Sequence, residues 1–290
     1  MTSLLDPDFL RRLGRLRLAV RRRFAGSSAG SRRSLRRGSS AEFAEHRPYY
    51  PGDDVRRIDW NAYARLEELV LRLYVAEEDL HLHLLLDRSA SLGVGTPRKF
   101  DIAKQAAAAI GYVALSGSER VSVLPFGETL AAPIPSMRGQ KRIGTLLRHL
   151  DALDVSGGTS FEASITRFLS RSPRPGVVVV VSDFLDPEGF SAPLDKLIAH
   201  KHEPVLIQVL DPEEVNPTVG HDVELVDSET GEVVDVSIDA TTVAAYRRRL
   251  QAFFEELTSY AKKRGLFYGR IDHQANLDEV ILAYLRGGAR

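Results

Sequence analysis

Three side chains that could bind a cation lie within five consecutive residues. Asp87, Ser89 and Ser91 supply one carboxylate and two hydroxyl groups, and oxygen is the ligand type that hard cations such as Mg²⁺ prefer. The mainly apolar residues 80–86 directly precede them and predict a buried strand. The alternative without a bound cation is an ordinary turn, in which the Asp and Ser side chains form hydrogen bonds with nearby backbone groups.

Two further oxygen donors follow later in the chain. Asp183 comes just after the valine run of residues 177–181, and Thr159 lies in a Gly-Gly-Thr-Ser loop before a predicted helix. In open α/β sheets, ligands bind beyond the carboxyl ends of the strands. Neighbouring strands would therefore bring five side chains to one divalent cation, with a coordination position left for an acidic group of a partner: Asp87, Ser89, Ser91, Thr159 and Asp183.

The elements that must position these groups alternate along the chain. Strand patterns occupy residues 80–86, 121–126, 177–181, 205–210 and 266–271. Helical patterns occupy residues 100–116, 141–153, 160–169, 194–200, 241–264 and 277–285. This alternation predicts the α/β class, with an open, doubly wound, mostly parallel sheet. Residues 221–238 predict an inserted β-hairpin that turns near Thr230 and Gly231.

Four segments are expected from the patterning. Residues 1–26 predict a basic amphipathic helix, and residues 27–40 a flexible linker rich in Arg, Ser and Gly. Residues 41–78 form a segment expected to pack on the main domain, which spans residues 79–290.

Composition narrows the functional classes. The chain has 290 residues, of which 43% are hydrophobic, and it contains no cysteine. This excludes disulfide frameworks, thiolate zinc sites and cysteine nucleophiles. Apolar runs fall short of the roughly 20 residues of a membrane span, and arginines interrupt any signal-peptide pattern. We therefore expect a soluble, cytoplasmic protein.

Two resemblances sharpen this interpretation. The order Asp87-x-Ser89-x-Ser91, Thr159 and Asp183 resembles the metal-ion-dependent adhesion site of von Willebrand factor A domains. The preceding segment resembles the signature of domain-of-unknown-function family 58, which couples such a motif to an A-like domain. The matching residues are Glu42-Phe43, Arg47-x-Tyr49, Pro51-Gly52-Asp53-Asp54, Arg56-x-Ile58-Asp59-Trp60, Ala64-Arg65 and Glu77.

These resemblances imply a von Willebrand factor A-like, Rossmann-like fold and a non-enzymatic protein-binding module that uses Mg²⁺ or Mn²⁺. By family analogy, the partner is a MoxR-type AAA+ ATPase or its client, with this chain as adaptor or co-chaperone. Neither a catalytic residue nor a small-molecule substrate is expected. Many relatives carry an N-terminal membrane hairpin, whereas this chain has an arginine-rich segment there.

An enzyme and a nucleic-acid-binding protein are the alternatives to a protein-binding module. A metal-dependent hydrolase or phosphotransferase would use Asp87 as nucleophile, but the residue two positions later is Ser89 rather than a second acid. The eleven arginines between residues 11 and 37 could bind nucleic acid. We do not expect that, because aromatic residues for base stacking are not interleaved. Peripheral contact with an anionic membrane stays open.

Polar residues outside the predicted site have structural interpretations. The charged residues of the signature segment, with Trp60 as an aromatic anchor, predict a clasp that fixes this segment to the main domain, although a functional surface is the alternative. His81 and His83 share one face of a strand, and without a third ligand they predict strand packing.

Overall fold

The computed structural model describes residues 4, 7–9, 11–14, 43–74, 81–171, 173–217, 220, 222–272 and 277–287. They belong to two compact units. The smaller unit contains residues 43–74, and the larger unit contains the other described residues.

The secondary structure of the described residues follows the predicted alternation in the larger unit. The strands are β1 (Phe43–Pro48), β2 (Val70–Tyr74), β3 (His81–Asp87), β4 (Arg120–Phe126), β5 (Ile134–Arg138), β6 (Val177–Ser182), β7 (Glu203–Val209), β8 (Asp222–Val226), β9 (Val233–Ser237) and β10 (Phe267–Ile271). The α-helices are α1 (Trp60–Leu66), α2 (Lys99–Ser116), α3 (Ile143–Asp151), α4 (Phe161–Ser170), α5 (Ser191–Ala199), α6 (Pro212–Val215), α7 (Ala240–Arg264) and α8 (Leu277–Gly287).

The larger unit is built on a six-stranded sheet with the order β10-β7-β6-β3-β4-β5. All neighbouring pairs are parallel except β4 and the edge strand β5, which are antiparallel. The predicted α/β class with a mostly parallel sheet is therefore confirmed. The valine strand β6 is central, between β7 and β3, which explains why it is apolar on both faces.

Alternate residues of the central strands build a core on each face of the sheet. On one face, Leu84 and Val179 pack in a cluster with side chains of α2, α3 and α8. On the other face, Leu85 and Val180 pack in a cluster with side chains of α4, α5 and α7. This is the doubly wound arrangement, and it fixes the strand ends at which the predicted site residues lie.

The start of the chain contributes to the first of these cores. Residues 7–9 and 11–14 are helical, and Leu4, Phe9 and Leu13 are buried in the cluster that contains Leu84. Arg12 forms an ion pair with Asp278 of α8 at 2.9 Å. In its described part, the predicted amphipathic helix therefore packs with its apolar side chains on its own domain. Residues 15–42, which include the predicted linker, lie outside the described residues.

The smaller unit is an antiparallel pair, β1 and β2, joined through α1. Asp59 caps α1, since its carboxylate accepts hydrogen bonds from the backbone of Asn61 and Ala62. Arg47 pairs with Asp53 at 2.8 Å, so the charges of the signature pair locally. Trp60, at the start of α1, is 60% exposed, and the clasp to the main domain stays a prediction.

Strands β8 and β9 form an antiparallel hairpin within residues 222–237 of the larger unit. Four elements had no counterpart in the sequence prediction: β1, β5, α1 and α6. Strand β2 corresponds to the strand that the alternation of Leu69, Leu71, Leu73 and Val75 predicts. None of the helices in the described residues combines the length and low polarity that crossing a membrane requires.

Candidate metal centre

Asp87 is the centre of the site and is fully buried at the carboxyl end of β3. The register of β3 and β6 pairs Leu86 with Val181, which brings Ser182 beside Asp87. The Ser182 hydroxyl donates to Asp87 Oδ2 at 2.5 Å, and the Ser89 amide donates to Asp87 Oδ1 at 2.9 Å. Both carboxylate oxygens are thus oriented by the chain itself.

The structure brings all five predicted side chains together. The Thr159 hydroxyl donates to Asp87 Oδ1 at 3.3 Å, and the Ser91 hydroxyl donates to Asp183 Oδ2 at 3.1 Å. The hydroxyl oxygens of Ser89 and Ser91 are 2.9 Å apart. Either hydroxyl can be the donor in that contact. A continuous set of oxygen donors therefore lies at the ends of β3 and β6.

The loop that carries Thr159 is fixed by backbone hydrogen bonds. The Ala90 amide donates to the Gly157 carbonyl at 2.8 Å, and the Ser160 amide donates to the Gly127 carbonyl at 2.9 Å. Gly157 has a φ of +69°, in the region that favours glycine. Ser160 then caps α4 through a hydrogen bond from the Ala163 amide. This local structure explains the Gly-Gly-Thr-Ser sequence.

Strained backbone follows the second carboxylate. Phe184, the residue after Asp183, has a φ of +64° although it is not glycine. Its amide donates to the Ser182 hydroxyl at 2.9 Å, and its buried ring stacks on Phe161 with the centroids 5.5 Å apart. Surrounding packing thus maintains a conformation that costs about 1–3 kcal/mol, a feature that is concentrated at functional sites.

A buried lysine, which the sequence analysis missed, lies next to the site. Lys99, at the start of α2, is 1% exposed, and its Nζ lies 3.0 Å from Asp183 Oδ2 and 2.6 Å from Glu214 Oε1. Glu214 is positioned by the capping box at the start of α6. Burial opposes the charged form of Lys99, yet the charges of Asp183 and Glu214 raise its pKa overall. Lys99 is therefore an ammonium ion at neutral pH.

The site has an excess of negative charge. When ionised, Asp87, Asp183 and Glu214 carry three negative charges against the single positive charge of Lys99. Burial, followed by the nearby charge of Asp183, raises the pKa of Asp87 to about 7. A bound cation would reverse this effect, because it favours the ionised carboxylate.

The spacing of the donors fits a hard cation. Neighbouring ligands of an octahedral Mg²⁺ ion are about 2.9 Å apart, which is √2 times a Mg–O distance of about 2.0–2.1 Å. Three observed oxygen separations, at 2.9, 3.1 and 3.3 Å, are close to that value. No group of three or more His, Cys, Asp or Glu side chains in the described residues is arranged to bind a metal ion. Hydroxyl ligands are therefore essential to this candidate site.

The two strand histidines lie at the opposite end of β3 and serve packing. His83 is buried, and its ring contacts Phe168 and His202 at centroid distances of 5.2 and 5.6 Å. Burial lowers the pKa of His83 to about 4, so the ring is neutral at physiological pH. The His81 ring stacks on that of His83 with the centroids 6.2 Å apart. The prediction of a packing role is in keeping with these contacts.

Comparison with known proteins places most of the chain in one family. The family model described as "Protein of unknown function DUF58" matches residues 45–256. An uncharacterized protein of Mycobacterium bovis is 37% identical over 240 residues, which cover 81% of this chain and 75% of that protein. An uncharacterized protein of Mycobacterium tuberculosis (strain H37Rv) gives the same values.

Two solved structures are similar in outline. The conserved hypothetical protein BatB of Bacteroides thetaiotaomicron has 15% identity and a TM-score of 0.47, over 71% of this chain and 96% of that one. An aerotolerance-related membrane protein of Bacteroides fragilis has 17% identity and a TM-score of 0.47, over 71% and 98%. Similarity of this degree does not bear on function.

Proposed function

Because this chain belongs to the DUF58 family of proteins of unknown function, we propose a function from its site: a non-enzymatic, metal-dependent protein-binding module. In this proposal Asp87, Ser89, Ser91, Thr159 and Asp183 bind Mg²⁺ or Mn²⁺. An acidic side chain of a partner protein completes the coordination. The observation that carries the proposal is that these five side chains lie together at the strand ends, with three of their oxygen separations between 2.9 and 3.3 Å.

The surroundings of the site support binding rather than catalysis. Asp87 is fully buried and both of its oxygens accept hydrogen bonds, so it is poorly placed to attack a substrate. Two apolar side chains that follow the site residues in sequence are exposed: Val94 is 43% and Leu185 is 48% exposed. Such side chains could add apolar contact area to a protein-binding surface.

The proposed partner is a MoxR-type AAA+ ATPase or its client, with this chain as an adaptor or co-chaperone. This part of the proposal rests on the resemblance of the sequence to family 58 and to the A-domain motif. The chemistry of the site adds one requirement, namely that the partner presents a carboxylate to the cation.

Capture of a purified MoxR-type ATPase from the same organism tests this function. The ATPase itself needs Mg²⁺, so the decisive comparison is between variants at constant Mg²⁺ rather than between Mg²⁺ and EDTA alone. We expect wild type to capture the ATPase, and Asp87→Ala to lose capture at least tenfold. Thr159→Val, which removes one hydroxyl at the half-buried edge of the site, should lose it as well.

The matched control is Glu188→Gln, which changes an exposed acid that follows β6. Glu188 lies outside the proposed ligand set, and its side chain is at the surface. This variant should capture the ATPase as wild type does. Capture that survives both Asp87→Ala and EDTA would refute the metal-dependent mechanism.

A further inference from the structure

A carboxylate of the β8–β9 hairpin lies on the loop that carries Thr159. Glu229, in the turn between the two strands, accepts a hydrogen bond from the Thr159 amide through Oε2 at 2.9 Å and is half-buried. Asp227 shapes this turn, because its carboxylate accepts hydrogen bonds from the amides of Glu229 and Thr230 at 2.8 and 2.9 Å. The hairpin therefore presents Glu229 in a defined conformation.

The contact is made at a residue of the candidate metal centre. The Thr159 side chain donates to Asp87 while its backbone amide donates to Glu229. The neighbouring Gly158 leaves room for the incoming carboxylate, since a Cβ at this position would lie 3.2 Å from Glu229 Oε2. The loop thus accommodates an acidic group beside the donors proposed for the cation.

The electrostatics of this arrangement favour a cation. Glu128 also reaches the loop, where its Oε1 accepts a hydrogen bond from the Gly158 amide at 3.3 Å. Together with Asp87 and Asp183, this places four carboxyl groups around the loop and the strand ends. Each of these groups repels the others when ionised. A divalent cation would reduce this repulsion and would attract the carboxylate of Glu229.

The hairpin that carries Glu229 is suited to move. Four of its apolar side chains are exposed by half or more: Leu225 (51%), Val226 (62%), Val233 (54%) and Val234 (51%). A two-stranded hairpin has little stability of its own in water. With few buried side chains to fix it, the hairpin can leave the loop at a modest cost in free energy.

We propose that Glu229 is a built-in competitor: its carboxylate holds the Thr159 amide beside the cation site and is displaced when the partner's acidic side chain binds. The inference rests on the proposed function, because it names the regulation of the same site. The partner then meets a site that is free only in the fraction of molecules whose hairpin has withdrawn. Apparent affinity falls in proportion to that fraction.

The test follows the Thr159 amide resonance in the ¹⁵N-labelled full chain at saturating Mg²⁺. The probe is the peptide acetyl-Gly-Glu-Gly-amide, and its Gln counterpart reports binding that does not need the carboxylate. The variant Glu229→Ala removes the competitor, and Glu232→Ala removes an exposed carboxylate from the same hairpin. Losing a hydrogen bond to a charged group should strengthen binding of the Glu peptide roughly tenfold in Glu229→Ala.

We expect Glu229→Ala to shift the Thr159 resonance before any peptide is added, and Glu232→Ala to behave as wild type. If Glu229→Ala binds Mg²⁺ but shows no gain in peptide affinity, Glu229 is not a competitor. The proposed function is unaffected by that result. If Mg²⁺ moves neither the Ser89 nor the Thr159 resonance in any of the proteins, the cation site itself is wrong. An unshifted Thr159 resonance in Glu229→Ala would overturn the contact independently of the metal.

Discussion

At the scale of single residues, Lys99 is as informative as the predicted ligands. Its ammonium group contacts Asp183 and Glu214 from a position that is 1% exposed. Buried ion pairs are strongly destabilised when one partner is removed, because the remaining charge stays buried. Lys99 therefore compensates only part of the negative charge of the site.

Replacing Lys99 with Met should lower the free energy of unfolding by about 3–5 kcal/mol, because Asp183 loses its charged partner. Lys196→Met is the control: Lys196 pairs with Glu162 at the surface, both side chains are 43% exposed, and the expected loss is about 0–1 kcal/mol. Urea unfolding measures both values. Mg²⁺ should restore part of the stability lost in Lys99→Met, since a ligand that binds only the folded state stabilises it.

A loss in Lys99→Met as small as that in Lys196→Met would contradict the charge balance described above. A loss of the expected size that Mg²⁺ does not reduce would speak against a cation next to Asp183.

The predicted ligands could be found from sequence because each follows a strand or a glycine pair, where local pattern and sheet geometry coincide. Lys99 could not, because a lysine in the first turn of a helix is ordinarily solvated, and only tertiary packing shows that this one is buried. Glu214 and Glu229 were missed for the same reason: they reach the site from elements far away in sequence. Ser182 could have been inferred, since it pairs beside Asp87 once β3 and β6 are taken as neighbours.

At the scale of elements, close packing of α2 and α3 fixes the face of the sheet behind the site. Gly111 of α2 has no room for a side chain: a Cβ there would lie 2.7 Å from Leu146 Cδ2 and 3.3 Å from Leu84 Cδ1. Both leucines are fully buried and have little space to move. The alanine-rich pattern of α2 allows this close approach to α3.

Gly111→Ala should therefore lower the free energy of unfolding by about 1–2 kcal/mol, because overpacking outweighs the better helix propensity of alanine. Gly144→Ala in α3 is the matched control, since the nearest atom to its Cβ is Arg148 Nη1 at 3.9 Å. That variant should gain up to about 1 kcal/mol. Chemical denaturation measures the change in the free energy of unfolding for both variants. A stabilising Gly111→Ala would contradict this description of the helix contact.

Elements with strong periodicity could be predicted, whereas short or partly exposed ones could not. Strand β6 and helix α7 follow from their apolar patterns and lie close to the predicted bounds. The edge strand β5 was missed because it contains Pro135, follows Pro133, and shows only weak alternation of apolar and polar residues. Helix α1 begins at Trp60, after a run of charged and turn-forming residues that obscured its start.

At the scale of the whole molecule, the two ends of the sheet in the larger unit differ in chemical character. The carboxyl ends of β3 and β6 carry buried carboxylates and hydroxyls, whereas the other end of β3 carries neutral histidines in a packed cluster. The first residues of the chain join the core through Phe9 and Leu13. The described residues before position 15 therefore belong to the domain that bears the site.

The measurement that tests the central claim most directly is calorimetric titration of Mg²⁺ into the full chain. Wild type should bind one Mg²⁺ ion per molecule, and Asp87→Asn should weaken binding by about 100-fold or more, because the variant lacks a charged ligand. Glu188→Gln, which changes an exposed acid and leaves the ligand set intact, should bind Mg²⁺ as wild type does. Failure of the wild-type chain to bind Mg²⁺, or equal binding by Asp87→Asn, would contradict the metal-dependent function.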